Sequence, residues 1–468
     1  MRQVLRANFE EVMLSPPSLD EWIGPKHPAR FIREFVEQID LAAEGFEIPN
    51  WEEGGVCFAP ELLLSVWLYG YLRRIRSLRG LEQACASDLA FMYLSGMHRP
   101  DHNALWRFWK ANKKALKAIF KKTVQVALKL ELVELVLQAI DGTKIMASCS
   151  KHGSFDAAHL RRLEHQLEES INRLEHQIEQ AGPELSLAPA ALHEDLADRR
   201  RLQSQVKAAL QNLDASASRY IHPKELDARR MKTEGSKRFG YNAQISVDAK
   251  AQIVTAAEVT SQQNDSQQLL PMIEAAQANT QAPSQCTLAD SGYSSGAQLA
   301  AVQEHSHQVI APLAHPIQNT QQDPYHSSAF GYDREADVVI CPQGQKLLFN
   351  HSRDRRGQLI RVFRNAAACA HCSVRSLCTT DRRGRAIDVG PFDQAFAIQR
   401  QKMAKVENQQ LLKERARIVE PVFAAIKALW QFQRWTVRGL ENVCSQWTLL
   451  CTTWNLKKLY QRWAADIA

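Results

Sequence analysis

The sequence predicts an α/β protein, a mixed sheet flanked and interrupted by helical segments. Three observations carry this. Short apolar runs at residues 135–141, 241–247, 252–259, 285–289 and 308–313 have strand character. Helical patterns at 266–278, capped by Asp265, and at 295–304 fall between them, giving the order strand, hairpin, helix, strand, helix, strand. Outside this block, apolar residues recur at three- and four-residue spacing, as in Leu62, Leu63, Val66, Trp67 and Tyr71.

The chain has 468 residues. That length suits roughly two to four domains. No apolar run approaches the ~20 residues of a membrane helix. The longest, residues 62–72, is broken by Ser65 and Gly70 and followed by Arg73 and Arg74. The first eleven residues lack the apolar stretch of a signal peptide, so the expected location is the cytoplasm, with no membrane partner.

The N-terminal 56 residues read as an extension, punctuated at Ser15-Pro16-Pro17 and Gly24-Pro25, with one helix over 31–39. Residues 57–132 read as a helical domain. Helices are expected at 77–86, 88–94 and 103–130, the last capped by Asp101 or Asn103. Short helices with a basic final helix fit a helix-turn-helix-like module. The formal charge of +7 is concentrated here: from Tyr71 to Leu130 there are thirteen Lys/Arg against three Asp/Glu, with Trp106, Phe108 and Trp109 interleaved. Such a segment suits a polyanion partner, or is a solvated basic face.

Residues 160–213 carry a heptad-like stripe: Leu160, Leu163, Leu167, Ile171, Leu174 and Ile178, then Leu192, Leu196, Leu202, Val206, Leu210 and Leu213. Gly182, Pro183 and Pro189 separate the halves. This predicts an antiparallel helical hairpin inserted into the sheet. It is either a plain surface arm or an arm for dimerisation or DNA clamping. Residues 133–159 and 214–313 form the sheet-bearing core around it. Residues 314–395 are rich in Pro, Gly, His, Asn, Gln and Arg and read as a second insert. Residues 396–468 supply C-terminal helices, within the patterns 392–432 and 440–464.

Two strands end in an aspartate followed by small residues: Asp141 in Asp-Gly-Thr-Lys and Asp290 in Asp-Ser-Gly-Tyr. Side chains at the carboxyl ends of neighbouring strands converge. Converging carboxylates repel unless a cation lies between them. Mg²⁺ and Mn²⁺ are hard ions that take such ligands. A single aspartate at a strand end more often serves a turn, as Asp248 is expected to do. A third candidate, Glu420, lies on a helix with Arg415, Arg417 and Lys427 around it, and Glu420 and Lys427 are seven apart on one face. That pattern suits a site receiving phosphates, and equally a solvated charged face.

Six of ten cysteines are scattered in mostly apolar contexts and read as buried thiols. The other four, Cys341, Cys369, Cys372 and Cys378, cluster around a Cys-x-x-Cys. Four thiolates close a tetrahedral structural Zn²⁺ site, with His371 a reserve ligand at most. A disulfide pair is the alternative, disfavoured in a cytoplasmic protein.

Taken in order, Ile140-Asp141-Gly142-Thr143-Lys144, Phe239-Gly240-Tyr241-Asn242-Ala243-Gln244, Asn264-Asp265, Ala289-Asp290-Ser291-Gly292-Tyr293 and residues 419–427 resemble the DDE-type transposases of bacterial insertion sequences, as does Arg438-Gly439-Leu440. The resemblance runs from about residue 55 to 460. It implies an RNase H-like catalytic core and metal binding by Asp141, Asp290 and Glu420. It implies phosphate contacts by Arg415 and Lys427, and a helical domain that binds the element's terminal repeats. Arg107, Lys110, Lys113 and Lys114 are the candidate DNA contacts there. Related transposases carry a similar cysteine cluster, which supports a zinc-knuckle-like insert. The implied partners are double-stranded DNA, both element ends and target, and a second copy of the chain in a homodimer. One position departs from the family pattern: Leu412 stands where a tyrosine is common, which puts a DNA contact in question.

Overall fold

In the computed structural model, residues 18–49, 57–150, 153–181, 188–215, 218–233, 236–313, 324–355 and 357–467 are described. Ser15-Pro16-Pro17 and the hairpin loop 182–187 lie outside them. The architecture is mixed α/β. No helix among the described residues is long and apolar enough to cross a membrane.

Seven helices come first: α1 (Leu19–Trp22), α2 (Pro28–Glu37), α3 (Pro60–Leu72), α4 (Leu78–Ser87), α5 (Leu89–Ser95), α6 (His102–Ala111) and α7 (Ala115–Lys129). Their starts have local causes. Ser18 and Glu21 form a capping box, and Ser77, Asp88 and Asp101 each accept a first-turn amide. The single helix expected over 103–130 is two helices. Asn112 breaks it: buried, its side-chain oxygen accepts the Glu47 amide at 2.8 Å and its Nδ2 donates to the Phe108 carbonyl at 2.9 Å. A short polar side chain that bonds backbone competes with helix continuation.

The main sheet is built from β1 (Leu137–Met146), β2 (Arg229–Thr233), β3 (Ser236–Asp248), β4 (Val254–Thr260), β5 (Cys286–Leu288) and β6 (Val309–Ile310). Its order is β2-β3-β1-β5-β6, with β4 also paired to β3. The ladders β2–β3, β3–β4 and β1–β3 are antiparallel; β1–β5 and β5–β6 are parallel. Between β1 and β2 lies the helical hairpin, α8 (Ala157–Ala181) and α9 (Ala188–Ala215), with its own small core of Leu160, Leu167, Val206, Ala209, Leu213 and Ile221. Helices α10 (Leu269–Thr280) and α11 (Gly296–Glu304) flank β5. Asp248 serves the turn as expected, accepting the amides of Leu135 and Lys250 at 3.0 Å each.

One expectation is corrected here. β1 does not end at Asp141; it runs on to Met146 because β3 is long enough to keep pairing, as far as Met146↔Gly240. The parallel ladder on its other edge stops at Ala139↔Leu288.

The second insert holds strands that its polar composition concealed. β7 (Gly331–Asp333), β8 (Val338–Ile340), β9 (Lys346–Arg355), β10 (Gln358–Arg364) and β11 (Ala386–Val389) form an antiparallel sheet, with α12 (Ala366–Ala370) and α13 (Arg375–Cys378) before the last strand. The chain closes with α14 (Asp393–Ala404), α15 (Val406–Ala424), a π-helical turn Ala425–Leu429, and α16 (Leu440–Asp466). The pattern 392–432 is therefore broken at Lys405, whose backbone is extended.

Helix α16 joins the parts. It packs against α2, α3, α7 and β4, so the N-terminal helices and the sheet share one core. Buried Asn455 bonds both backbone groups of Val254 at 2.9 Å and Thr123 Oγ1 at 3.1 Å. Trp447 Nε1 donates to the Gln244 carbonyl and Trp454 Nε1 to that of Gln252. Buried polar groups satisfied in this way fix the register of a helix on a sheet.

At the start of α16, Leu440 N donates to Asp227 Oδ2 at 2.9 Å and Gly439 N to Glu225 Oε1 at 3.4 Å. Tyr241 Oη also donates to Glu225 Oε1, whereas buried Glu225 Oε2 meets no partner among the described residues. Burial pushes the Glu225 carboxyl up to about 7. The native state thus holds a proton that the unfolded chain releases from about pH 4.5. Stability from this group is full at low pH and is lost as pH rises through 7. Glu225→Gln keeps the acceptor oxygen and removes the charge. Thermal melts at pH 5 and pH 8 should show the variant less pH-sensitive and more stable than wild type at pH 8, by on the order of 2 kcal/mol. A variant with the wild-type pH profile would contradict this.

Candidate active site

The parallel ladder pairs Leu137 with Cys286, Gln138 with Thr287 and Ala139 with Leu288. Continuing that offset brings Asp141 opposite Asp290 just past the end of β5. Because β5 stops at Leu288, nothing pairs with Asp141 on that edge, and both carboxylates share the gap. The Asp141 side chain accepts the Gly142 amide at 2.8 Å and Arg415 Nη1 at 2.8 Å. Asp290 caps a 3₁₀ turn (Ser291–Tyr293), accepting the Gly292 amide at 2.7 Å. Burial pushes the Asp141 carboxyl up and the Asp290 charge adds to this, while Arg415 and the Gly142 amide oppose it. The Asp141–Arg415 pair is largely shielded from water, which strengthens it relative to an exposed pair.

A third carboxylate stands behind the pair. Asp265 Oδ1 accepts Asn242 Nδ2 at 2.7 Å and Gln244 Nε2 at 2.6 Å, and the hydroxyl of buried Tyr293 donates to Gln244 Oε1. Tyr293 is held neutral by burial and by Asp265, Asp141 and Asp290. Glycine at 142 leaves room for the Gln244–Asp265 pair: a Cβ there would meet the Gln244 amide nitrogen and lie 2.8 Å from Asp265 Oδ1, so both side-chain ends would have to shift. The sequence assigned Asp265 to capping a helix over 266–278. That is corrected: α10 starts at Leu269 with Gln268 before it and no side-chain cap. The alternation of Asn242 and Gln244 on one face of β3 was the available signal for an acceptor nearby.

Glu420 is placed differently. α15 packs through Ile418, Val419 and Val422, and Arg415 on the same helix reaches Asp141. Five residues on, Glu420 is turned ~140° round the axis from Arg415 and is exposed. Among the described residues no group of three or more His, Cys, Asp or Glu side chains is gathered closely enough to hold a metal ion in this arrangement. Pro421, which lacks an N–H, sits inside α15, and the π-helical turn carrying half-buried Lys427 follows. Leu412 packs partly buried against the main core.

Of the basic candidates on the helical domain, Arg107, Lys110 and Lys114 are exposed, and Trp106 stacks on Trp109 beside them. Lys113 is already engaged: its Nζ bonds Glu441 at 2.7 Å and Asn442 at 3.0 Å in the first turn of α16.

All ten cysteines are free of disulfides. Cys341, Cys369, Cys372 and Cys378 line one pocket of the second insert. Cys341 opens a tight turn closed by its amide to the Gln345 carbonyl. Gly384, at φ +84°, lies so close that a Cβ there would sit 3.0 Å from Cys369 Sγ. Burial pushes the Cys378 thiol up, Arg385 opposes it, and the other three sulfurs contribute.

A family model described as Transposase DDE domain matches residues 340–460, and one described as Transposase domain (DUF772) matches residues 17–111. Both matches support a DDE-type transposase of the insertion-sequence kind. No curated protein matches it. The first match takes in the cysteine insert from residue 340 on, α14, α15 and most of α16, and so includes Arg415, Glu420 and Lys427. The second covers the helices up to α6. Asp141 and Asp290 fall between the two matches, so their assignment rests on the strand geometry.

Proposed function

We propose that this transposase binds the terminal inverted repeats of its element and catalyses metal-dependent DNA cleavage and strand transfer. The observation that carries the reading is that the β1–β5 register, continued past its last pair Ala139↔Leu288, sets Asp141 opposite Asp290. A mixed sheet in which β1, β2 and β4 pair antiparallel with β3 and β5 and β6 follow in parallel supports an RNase H-like core.

Asp141 and Asp290 fit a divalent cation by donor chemistry: hard carboxylate oxygens, mutually repelling, beside the exposed end of a strand. They would be the ligands for Mg²⁺ or Mn²⁺, with Glu420 contributed by α15. Such ions activate a water or 3′-hydroxyl and stabilise a leaving oxygen in phosphoryl transfer. The chain's own work is positional. Asn242, Gln244 and Tyr293 hold Asp265 and the Asp290 turn in register, and Arg415 neutralises Asp141 and offers charge to a phosphate, as does Lys427. Arg107, Lys110 and Lys114 present the helical domain to the repeats. The four cysteines, which line one pocket, would hold a structural Zn²⁺ once drawn together around the ion. A homodimer in the cytoplasm, engaging two element ends, completes the reading.

The second reading is a DNA-binding relative without catalysis, favoured by the outward position of Glu420 and by Leu412. Wild-type protein, incubated with Mg²⁺, a duplex bearing its own element end and a labelled target, separates the readings. Cleavage with joining to target is the expected result. Binding without cleavage establishes the second reading, and cleavage without joining leaves a nuclease.

A further inference from the structure

Beyond the carboxylates, the far end of β1 carries a second polar site. A pocket of ≈ 90 Å³ is lined by Arg230, Lys237, Arg238 and Arg434, with Ser150, Ser154 and Met146, and among the described residues no Asp or Glu lines it. Arg434 is brought there by a bridge between its backbone and Met146. Arg230 is fixed by stacking over the Tyr220 ring, 4.7 Å from its centroid. Arg438 adds its charge from the rim, its Nε donating to the Ser148 carbonyl at 2.9 Å. Ser154 Oγ is buried and meets no partner among the described residues. Lys237 and Arg434 are exposed, and no carboxylate pairs with either among the described residues.

Lys237 and Arg434 converge on the pocket with no carboxylate paired to either among the described residues, and an anion seated there offsets their repulsion. Guanidinium groups and an ammonium around a small polar pocket match the oxygens of a phosphate. Five residues of β1 separate Met146 from Asp141, ~17 Å at strand rise, which is about five base steps of B-DNA. We propose that this pocket seats a backbone phosphate of the DNA about five base pairs from the reacting bond, clamping the flank while the carboxylates act. This rests on the chain being a DNA-binding transposase.

The test measures equilibrium binding of an element-end duplex in Ca²⁺, across a salt series, for wild type, Lys237→Gln/Arg434→Gln and the charge-keeping Arg434→Lys. Both substituted side chains are exposed, and unchanged thermal melts will confirm intact folding. The double variant is expected to bind about tenfold more weakly, with a slope of log K against log salt shallower by about two, while Arg434→Lys keeps the wild-type slope. A double variant with wild-type affinity and slope overturns the proposal. So does a site that inorganic phosphate fills, protecting Arg434 from a guanidine-directed reagent, while duplex DNA gives no protection. If wild type binds no DNA at all, the functional reading falls together with the pocket; if wild type binds and the double variant is indistinguishable from it, the pocket alone falls.

Discussion

Replacing Asp141 or Asp290 by asparagine should lower DNA cleavage in Mg²⁺ by at least about a thousandfold, equivalent to ~4 kcal/mol of lost transition-state stabilisation. Binding of the same duplex should stay within about twofold. The variants keep side-chain shape and an acceptor oxygen, so the Gly142 and Gly292 amides retain their partners. What is lost is one negative charge from a pair set opposite each other by the β1–β5 register. Single-turnover cleavage with a gel-shift control makes the comparison. Glu420→Gln is the informative companion. A comparable loss would mean that α15 turns its exposed carboxylate toward the pair when DNA engages; undiminished cleavage would remove Glu420 from the ligand set.

The second large effect concerns the cysteine insert. Its apolar core is small, made of Phe330, Val339, Leu347, Phe363, Ile387 and Val389, while Leu348, Phe349 and Leu359 face outward. So small a core supplies little stability on its own. A structural Zn²⁺ contributes on the order of 10 kcal/mol to a small domain. The purified chain should therefore carry one zinc. The double change Cys369→Ser/Cys372→Ser should abolish it and raise proteolysis within the β9–β10 region by more than about tenfold. Elemental analysis with limited proteolysis checks both. A zinc-free wild type, or equal protease resistance in the double variant, would refute the structural role.

The residues that were legible in sequence are those whose signal is local. Asp141 and Asp290 stood out because each closes an apolar run before small residues; of the two caps the sequence offered, Asp101 and Asn103, it is Asp101 that caps α6. The hairpin α8–α9 followed from its stripe. What escaped depended on partners far along the chain. β1 continues past Asp141 only because β3 pairs with it. The Asn112 break depends on Glu47, 65 residues away. Asp265 has the form of a helix cap in sequence and becomes part of the site only when Asn242 and Gln244 reach it from β3. The strands of the second insert were hidden because β9 exposes residues on both faces, so period-two alternation never forms. Glu420 was identified by its motif, and motif position does not set the direction in which a helical side chain projects.

Iron-directed peptide cleavage tests the central claim most directly. Fe²⁺ replacing Mg²⁺, with hydrogen peroxide and ascorbate added, generates hydroxyl radicals that cut the chain near its ligands. The claim that Asp141 and Asp290 jointly hold the metal predicts cuts clustered at both residues, suppressed by excess Mg²⁺ and absent in Asp141→Asn. Cuts confined to the cysteine insert, or a wild-type pattern in Asp141→Asn, would contradict it.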